Sequence, residues 1–166
     1  KGSIEASKFQ DSNANGVQEP AEIALGNWSM AVYAGAVEEN EQPIATGATD
    51  PTSGHVTFDT LLPGEYTVCE GQVEGWLPTI ALCQPVTVIS EQAASVTCGN
   101  VLGGRIIVDK VSDPADAPDK FDFSLTRGET TVVSFALSGA DTPFDSGLLL
   151  PGTYIIEEAA TAGWDL

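Results

Sequence analysis

Three side chains in the first hundred residues could do covalent chemistry if the fold brought them together. Lys8 follows Ile4 and Ala6 at alternate positions, so it shares their strand face. Glu70 follows Tyr66 and Val68 at the same period, and Asn100 follows Val96 and Cys98. A buried ammonium is costly unless it is paired or loses its proton. Burial lowers a lysine pKa and raises a glutamate pKa. Placed together, Lys8 would be a free amine nucleophile and Glu70 a neutral acid that polarises the Asn100 carboxamide and shuttles protons. Attack would expel ammonia and leave an intramolecular isopeptide bond. Closing so long a loop would stabilise the fold by about 4–5 kcal/mol in a chain-entropy treatment. The same residues also allow a plain Lys8–Glu70 ion pair with Asn100 as a cap or turn residue, and spacing alone favours that simpler reading.

A second cluster suits a cation. From Asp11 to Glu22 the chain matches a twelve-position calcium loop: oxygen side chains at Asp11, Asn13, Asn15, Glu19 and Glu22, glycine at Gly16, and the backbone carbonyl of Val17. A hard cation takes six to eight oxygens, and Gly16 permits the sharp turn that gathers them. Asn at two positions lowers the ligand charge and predicts modest affinity, suited to extracellular Ca2+. The alternative is an Asx-rich turn that holds no metal. The flanks read as strands, so the loop would lack the paired helices of an EF-hand.

Short alternating runs must position these residues. Trp28, Met30 and Val32 share a face, as do Val56 and Phe58; later come Ile106, Val108 and Lys110, then Phe121, Phe123 and Leu125, then Val133, Phe135 and Leu137, then Tyr154, Ile156 and Glu158. Period-two runs punctuated by Gly, Pro, Asn and Asp predict antiparallel strands and an all-β architecture. The stretch Leu61–Pro78 returns at Leu149–Leu166, offset by 88 residues, with Leu-Leu-Pro-Gly, Tyr, Glu and Gly-Trp in place. Such a repeat predicts two tandem copies of one small domain, at residues 1–101 and 102–166. With 24 acids against 6 bases the formal net charge is −18, which disfavours nucleic acid and anionic membrane as partners. Apolar content of 42% still supplies a packed core. No run of about 18 apolar residues predicts a membrane span.

The ordered set Lys8-Phe9-Gln-Asp11-Ser-Asn13-Ala-Asn15-Gly16, Glu22, Asn27-Trp28, Leu62-Pro63-Gly64-Glu-Tyr66-Thr-Val-Cys69-Glu70, Gly75-Trp76 and Gly99-Asn100 resembles the prealbumin-like (transthyretin-like) B-type domains of bacterial surface adhesins and pilins. The resemblance implies two tandem Ig-like antiparallel β-sandwiches, the second lacking its last strand. It implies a Lys8–Asn100 isopeptide bond assisted by Glu70, with Lys110 and Glu158 as the equivalents in the second copy. That copy departs from the pattern: no Asn occurs after Asn100, and the calcium loop is missing. Asp113, Asp116 and Asp119 read as a solvated loop. Other copies or neighbouring repeats could complete the open sheet by strand addition.

Cys69 faces outward between Val68 and Glu70, whereas Cys98 faces inward, so those two should not pair. Cys83, expected in the loop after Trp76, is the predicted partner of Cys69, with Cys98 a buried free thiol. No CxxC pair and a single histidine, His55, argue against zinc. The chain reads as an extracellular, cell-surface or filament module, stiffened by Ca2+ and a covalent cross-link. No site for multiple-turnover catalysis is legible. The competing reading is a non-catalytic, carbohydrate-binding accessory domain of a secreted enzyme, with Trp76 and Trp164 as sugar platforms.

Overall fold

The computed structural model describes residues 1–115 and 117–165; the expectation for Asp116 lies outside them. The described residues form strands joined by turns and loops, in two compact units, Lys1–Leu102 and Gly103–Leu166. Ala159–Ala162, a candidate helical turn by composition, is irregular chain entering a turn.

Unit 1 holds eight strands: β1 (Gly2–Gln10), β2 (Ser29–Ala34), β3 (Ala45–Ala48), β4 (His55–Leu61), β5 (Gly64–Glu70), β6 (Trp76–Pro78), β7 (Cys83–Val88) and β8 (Ala93–Leu102). They form two sheets, ordered β4-β1-β8-β6 and β3-β2-β5-β7. Alternation places Ile4, Ala6 and Lys8 of β1, Met30 and Val32 of β2, Val68 of β5, and Val96 and Cys98 of β8 in one buried layer with Trp28. The pairing is antiparallel except between β1 and β8, which run parallel from Ser3↔Ala93 to Gln10↔Asn100. A parallel pair needs a long crossover, and here the intervening strands of the domain supply it.

Unit 2 holds β9 (Ile107–Val108), β10 (Phe121–Arg127), β11 (Thr130–Leu137), β12 (Phe144–Asp145) and β13 (Ile155–Glu158). They pair as β11-β10-β13 and β12-β9 around Phe121, Phe123 and Leu137. Both orders repeat those of β1 to β5. The copies also agree in detail: the Tyr66 hydroxyl donates to the Leu62 carbonyl at 2.8 Å, and Tyr154 to Leu150 at 2.8 Å. Gly75 and Gly163 share a left-handed φ of +85° and +86° before their tryptophans. Among the described residues unit 2 has no counterpart of β6, β7 or β8, because Trp164 aligns with Trp76, where β6 begins. Ile156 is therefore 37% exposed, while its counterpart Val68 is 0% exposed.

Cys83 is not in a loop. It opens β7 directly across from Cys69, and the two are disulfide-bonded. Pro85 is tolerated in β7 because that strand lies at the sheet edge. Reducing the bridge, which spans a sequence separation of 14, should lower unfolding free energy by about 3 kcal/mol. Urea unfolding with and without reductant measures this; an unchanged midpoint would mean β7 is held without it.

Candidate functional site

The parallel register sets Lys8 beside Cys98, and Asn100 lies two residues further along the same inward face of β8. Glu70 reaches the same point from the end of β5 in the facing sheet. Lys8 Nζ donates to Asn100 Oδ1 at 2.5 Å and to the Cys98 carbonyl at 3.3 Å. It lies 2.9 Å from Glu70 Oε2 and 4.6 Å from the centre of the Trp28 ring. The Lys8 and Glu70 side chains are 0% and 1% exposed.

Burial drives the Lys8 amine below its usual range, and Glu70 offsets only part of that. Burial likewise drives the Glu70 carboxyl up, with Lys8 pulling it back. The two trends oppose the charged pair: passing the proton from Lys8 to Glu70 leaves both neutral in a site without solvent. Apart from the close Lys8 ammonium, neither Glu70 oxygen has a hydrogen-bond partner. The neutral amine then rests against a carboxamide whose carbonyl a protonated Glu70 can polarise. Burial, with the Glu70 charge adding, pushes the neighbouring Cys98 thiol up to about 11, so it is no competing nucleophile at neutral pH.

In unit 2, Lys110 Nζ is 2.6 Å from Glu158 Oε1 and 4.1 Å from the centre of the Phe121 ring. The arrangement copies Lys8, Glu70 and Trp28, but the side chains are 14% and 20% exposed and the chain supplies no further Asn.

The acidic loop closes on itself. Gln10 N–H donates to the Ile23 carbonyl at 2.9 Å and Leu25 N–H to the Lys8 carbonyl at 2.9 Å, so the returning chain pairs with β1. Asp11, fully buried, accepts from Asn15 N–H at 3.1 Å and Gly16 N–H at 2.6 Å. Gly16 has φ +77°. Asn13 Oδ1 accepts from Asn15 N–H at 3.0 Å, and Asn15 Oδ1 from Val17 N–H at 2.7 Å. Glu19 Oε1 accepts from the Asn15 amide at 2.6 Å, and Glu22 from the Ser12 and Glu19 backbone N–H groups at 2.7 and 3.1 Å. Burial alone would raise the Asp11 carboxyl; the Thr79 hydroxyl and the Gly16, Asn15 and Ala14 amides outweigh it and hold it below the usual range. The Asn15 amide does the same for Glu19.

Three carboxylates thus share one loop, and among the described ion pairs none of them meets a base. Glu19 Oε2 is buried without a partner. Among the described residues no three His, Cys, Asp or Glu side chains converge as a metal cage by themselves. A cation would have to draw on Asn13, Asn15 and the Val17 carbonyl as well. This all-oxygen set, with an orphaned carboxylate oxygen, fits a hard cation such as Ca2+.

Sequence reasoning placed Trp28 in the core without assigning it to Lys8, and it missed Thr79, whose buried hydroxyl lies beside Asp11 without a well-formed hydrogen bond. No residue pattern marks Thr79, because it lies outside the strands. Trp76 packs edge-on against Trp28, with ring centres 5.6 Å apart, and Trp164 against Phe121 at 5.0 Å. These rings extend the cores, which weakens the sugar-platform reading.

No family model matches the chain. Colossin-A of Dictyostelium discoideum is 29% identical over 113 residues, which is 68% of this chain and 1% of that protein. The chain therefore spans about a hundredth of that relative. A streptococcal ancillary pilin is 18% identical, with a TM-score of 0.51 over 99% of this chain and 55% of its own, and the two share a fold. A minor pilin of Streptococcus agalactiae is 20% identical over 67% of this chain and 47% of its own, with a TM-score of 0.44. The fold is the all-β sandwich fold of that ancillary pilin.

Glu70→Ala removes the acid beside a buried amine and should lower unfolding free energy by about 3–5 kcal/mol in urea titration. A loss under about 1 kcal/mol would mean Lys8 does not depend on Glu70.

Proposed function

We propose that this chain is an extracellular structural module, a segment of a surface stalk, pilus or filament, in which a Lys8–Asn100 isopeptide bond ties the first strand of unit 1 to its last. The observation that carries this reading is the desolvated Lys8–Glu70–Asn100 contact, whose amine and acid are both shifted toward their neutral forms. In the reaction Lys8 Nζ attacks Asn100 Cγ, the Cγ–Nδ2 bond breaks, and ammonia leaves. Glu70 holds the proton taken from Lys8, donates to the carboxamide oxygen, and returns a proton to the departing nitrogen. The walls of both sheets exclude water, which would otherwise compete. The chemistry turns over once.

The loop residues Asp11, Asn13, Asn15, Val17, Glu19 and Glu22 would hold Ca2+, which when bound offsets their mutual repulsion and stiffens the turn. The Cys69–Cys83 bridge suits an oxidising, extracellular setting. Partners are other copies or neighbouring repeats. Among the described residues β13 has a neighbour on one side only, so a strand from further chain or another copy can add there.

Intact mass tests the bond. With its disulfide reduced, the folded chain should be lighter than its sequence by one ammonia, and Lys8→Ala or Asn100→Ala should show the full mass of its own sequence. A wild-type mass equal to the sequence mass sinks the covalent reading. For the loop, free calcium at about 100 times its Kd should add about 2.7 kcal/mol of stability that a chelator removes. A melting temperature indifferent to chelation would exclude calcium as a ligand.

A further inference from the structure

The cation loop and the cross-linking strand meet at Asn100. Asp11 N–H donates to the Asn100 carbonyl at 2.8 Å, so the loop's first residue holds the backbone of the residue to be attacked. Thr79, just beyond β6, donates its N–H to the Gly99 carbonyl at 2.9 Å. A Cβ added at Gly99 would lie 2.7 Å from Thr79 Oγ1, so that hydroxyl rests against β8 one residue before Asn100. The same hydroxyl is buried beside the Asp11 carboxylate, whose charged form it favours, but without a well-formed hydrogen bond. The Thr79 carbonyl also flanks Gly16, at 3.5 Å from where a Cβ would stand. Thr79 therefore touches both the loop and β8, and Asp11 lies three residues after Lys8 on the chain that carries the nucleophile.

We propose that Thr79 is a positioning residue that couples the loop to the reaction, so that Ca2+ bound by the loop sets the Asn100 carboxamide for attack by Lys8. This rests on both the covalent and the calcium readings above. Asp11 and Thr79 grip β8 from two directions, at residues 100 and 99. With the loop loose, both grips loosen. A displacement of about 1 Å between reacting groups costs on the order of 100-fold in rate. The Thr79 hydroxyl faces the Asp11 carboxylate without a well-formed hydrogen bond, and an organised loop would let that bond close.

The full chain, unfolded in denaturant with its disulfide intact, is diluted into calcium or into EGTA, and ammonia loss is followed by intact mass. The bond should form at least about tenfold more slowly in EGTA. Thr79→Val should reduce that calcium dependence to within about twofold, and Thr79→Ser should keep it. Equal rates in calcium and EGTA, with calcium bound in calorimetry and ammonia lost in both, overturn the coupling alone. If calorimetry detects no calcium binding, the loop reading has failed and the coupling with it. If the mass never falls, the covalent reading has failed and the coupling with it. Calcium dependence that survives in Thr79→Val, or is lost in Thr79→Ser, overturns the role of Thr79; should Thr79→Val not fold, Thr79→Ser still decides.

Discussion

A lysine amine without water is the constraint around which unit 1 is arranged. Lys8 lies on a strand whose other inward residues, Ile4 and Ala6, are fully buried, so its Nζ has no route to solvent. It must find partners inside, and they come from three parts of the fold. Asn100 and the Cys98 carbonyl come from the adjacent strand, Glu70 from the opposite sheet, and the Trp28 ring from just before β2. A one-residue slip of β1 against β8 would turn Lys8 outward and undo all four contacts. Register, sheet packing and chemistry are thus one requirement.

Comparing the two units separates what the residues supply from what burial supplies. Lys110, Glu158 and Phe121 repeat the amine, the acid and the ring at similar distances. Yet burial shifts Lys8 and Glu70 toward neutrality in unit 1, where β6 to β8 are present, β8 lies against Lys8, and at most 1% of either side chain is exposed. The reactive character belongs to the enclosure as much as to the residue types. The disulfide contributes to that enclosure. It fastens edge strand β7, whose Gln84 side chain crosses to the other sheet and donates to the Thr97 carbonyl at 2.9 Å, beside Cys98.

Much of this was legible in the sequence because period-two alternation reports which way a side chain points. The inward lysine, the outward Cys69 and the inward Cys98 follow from parity alone, as does the placement of Asn100 with Val96. The 88-residue repeat marked equivalent turns, and the structure gives them matching hydrogen bonds and φ values. Parity says nothing about which strands are neighbours, so the parallel β1–β8 pair was not visible. Cys83 opens a short edge strand in which Pro85 breaks the alternation, so the sequence carries little strand signal there. Thr79 was illegible for a different reason: its place is fixed by contacts from two distant segments.

The parallel pairing of β1 and β8 determines how unit 1 meets tension. The chain enters at the start of β1 and leaves at the end of β8, so pulling on the two ends slides the strands lengthwise. Eight facing residue pairs, from Ser3↔Ala93 to Gln10↔Asn100, then resist together in shear instead of unzipping one by one. Lys8 and Asn100 sit near the exit end of that track. A covalent link there would route the pull along the few residues from Gly2 to Lys8 and out through Asn100, leaving the ninety or so residues between them slack. Such a segment would act as a short inextensible strap with a folded body hanging from it.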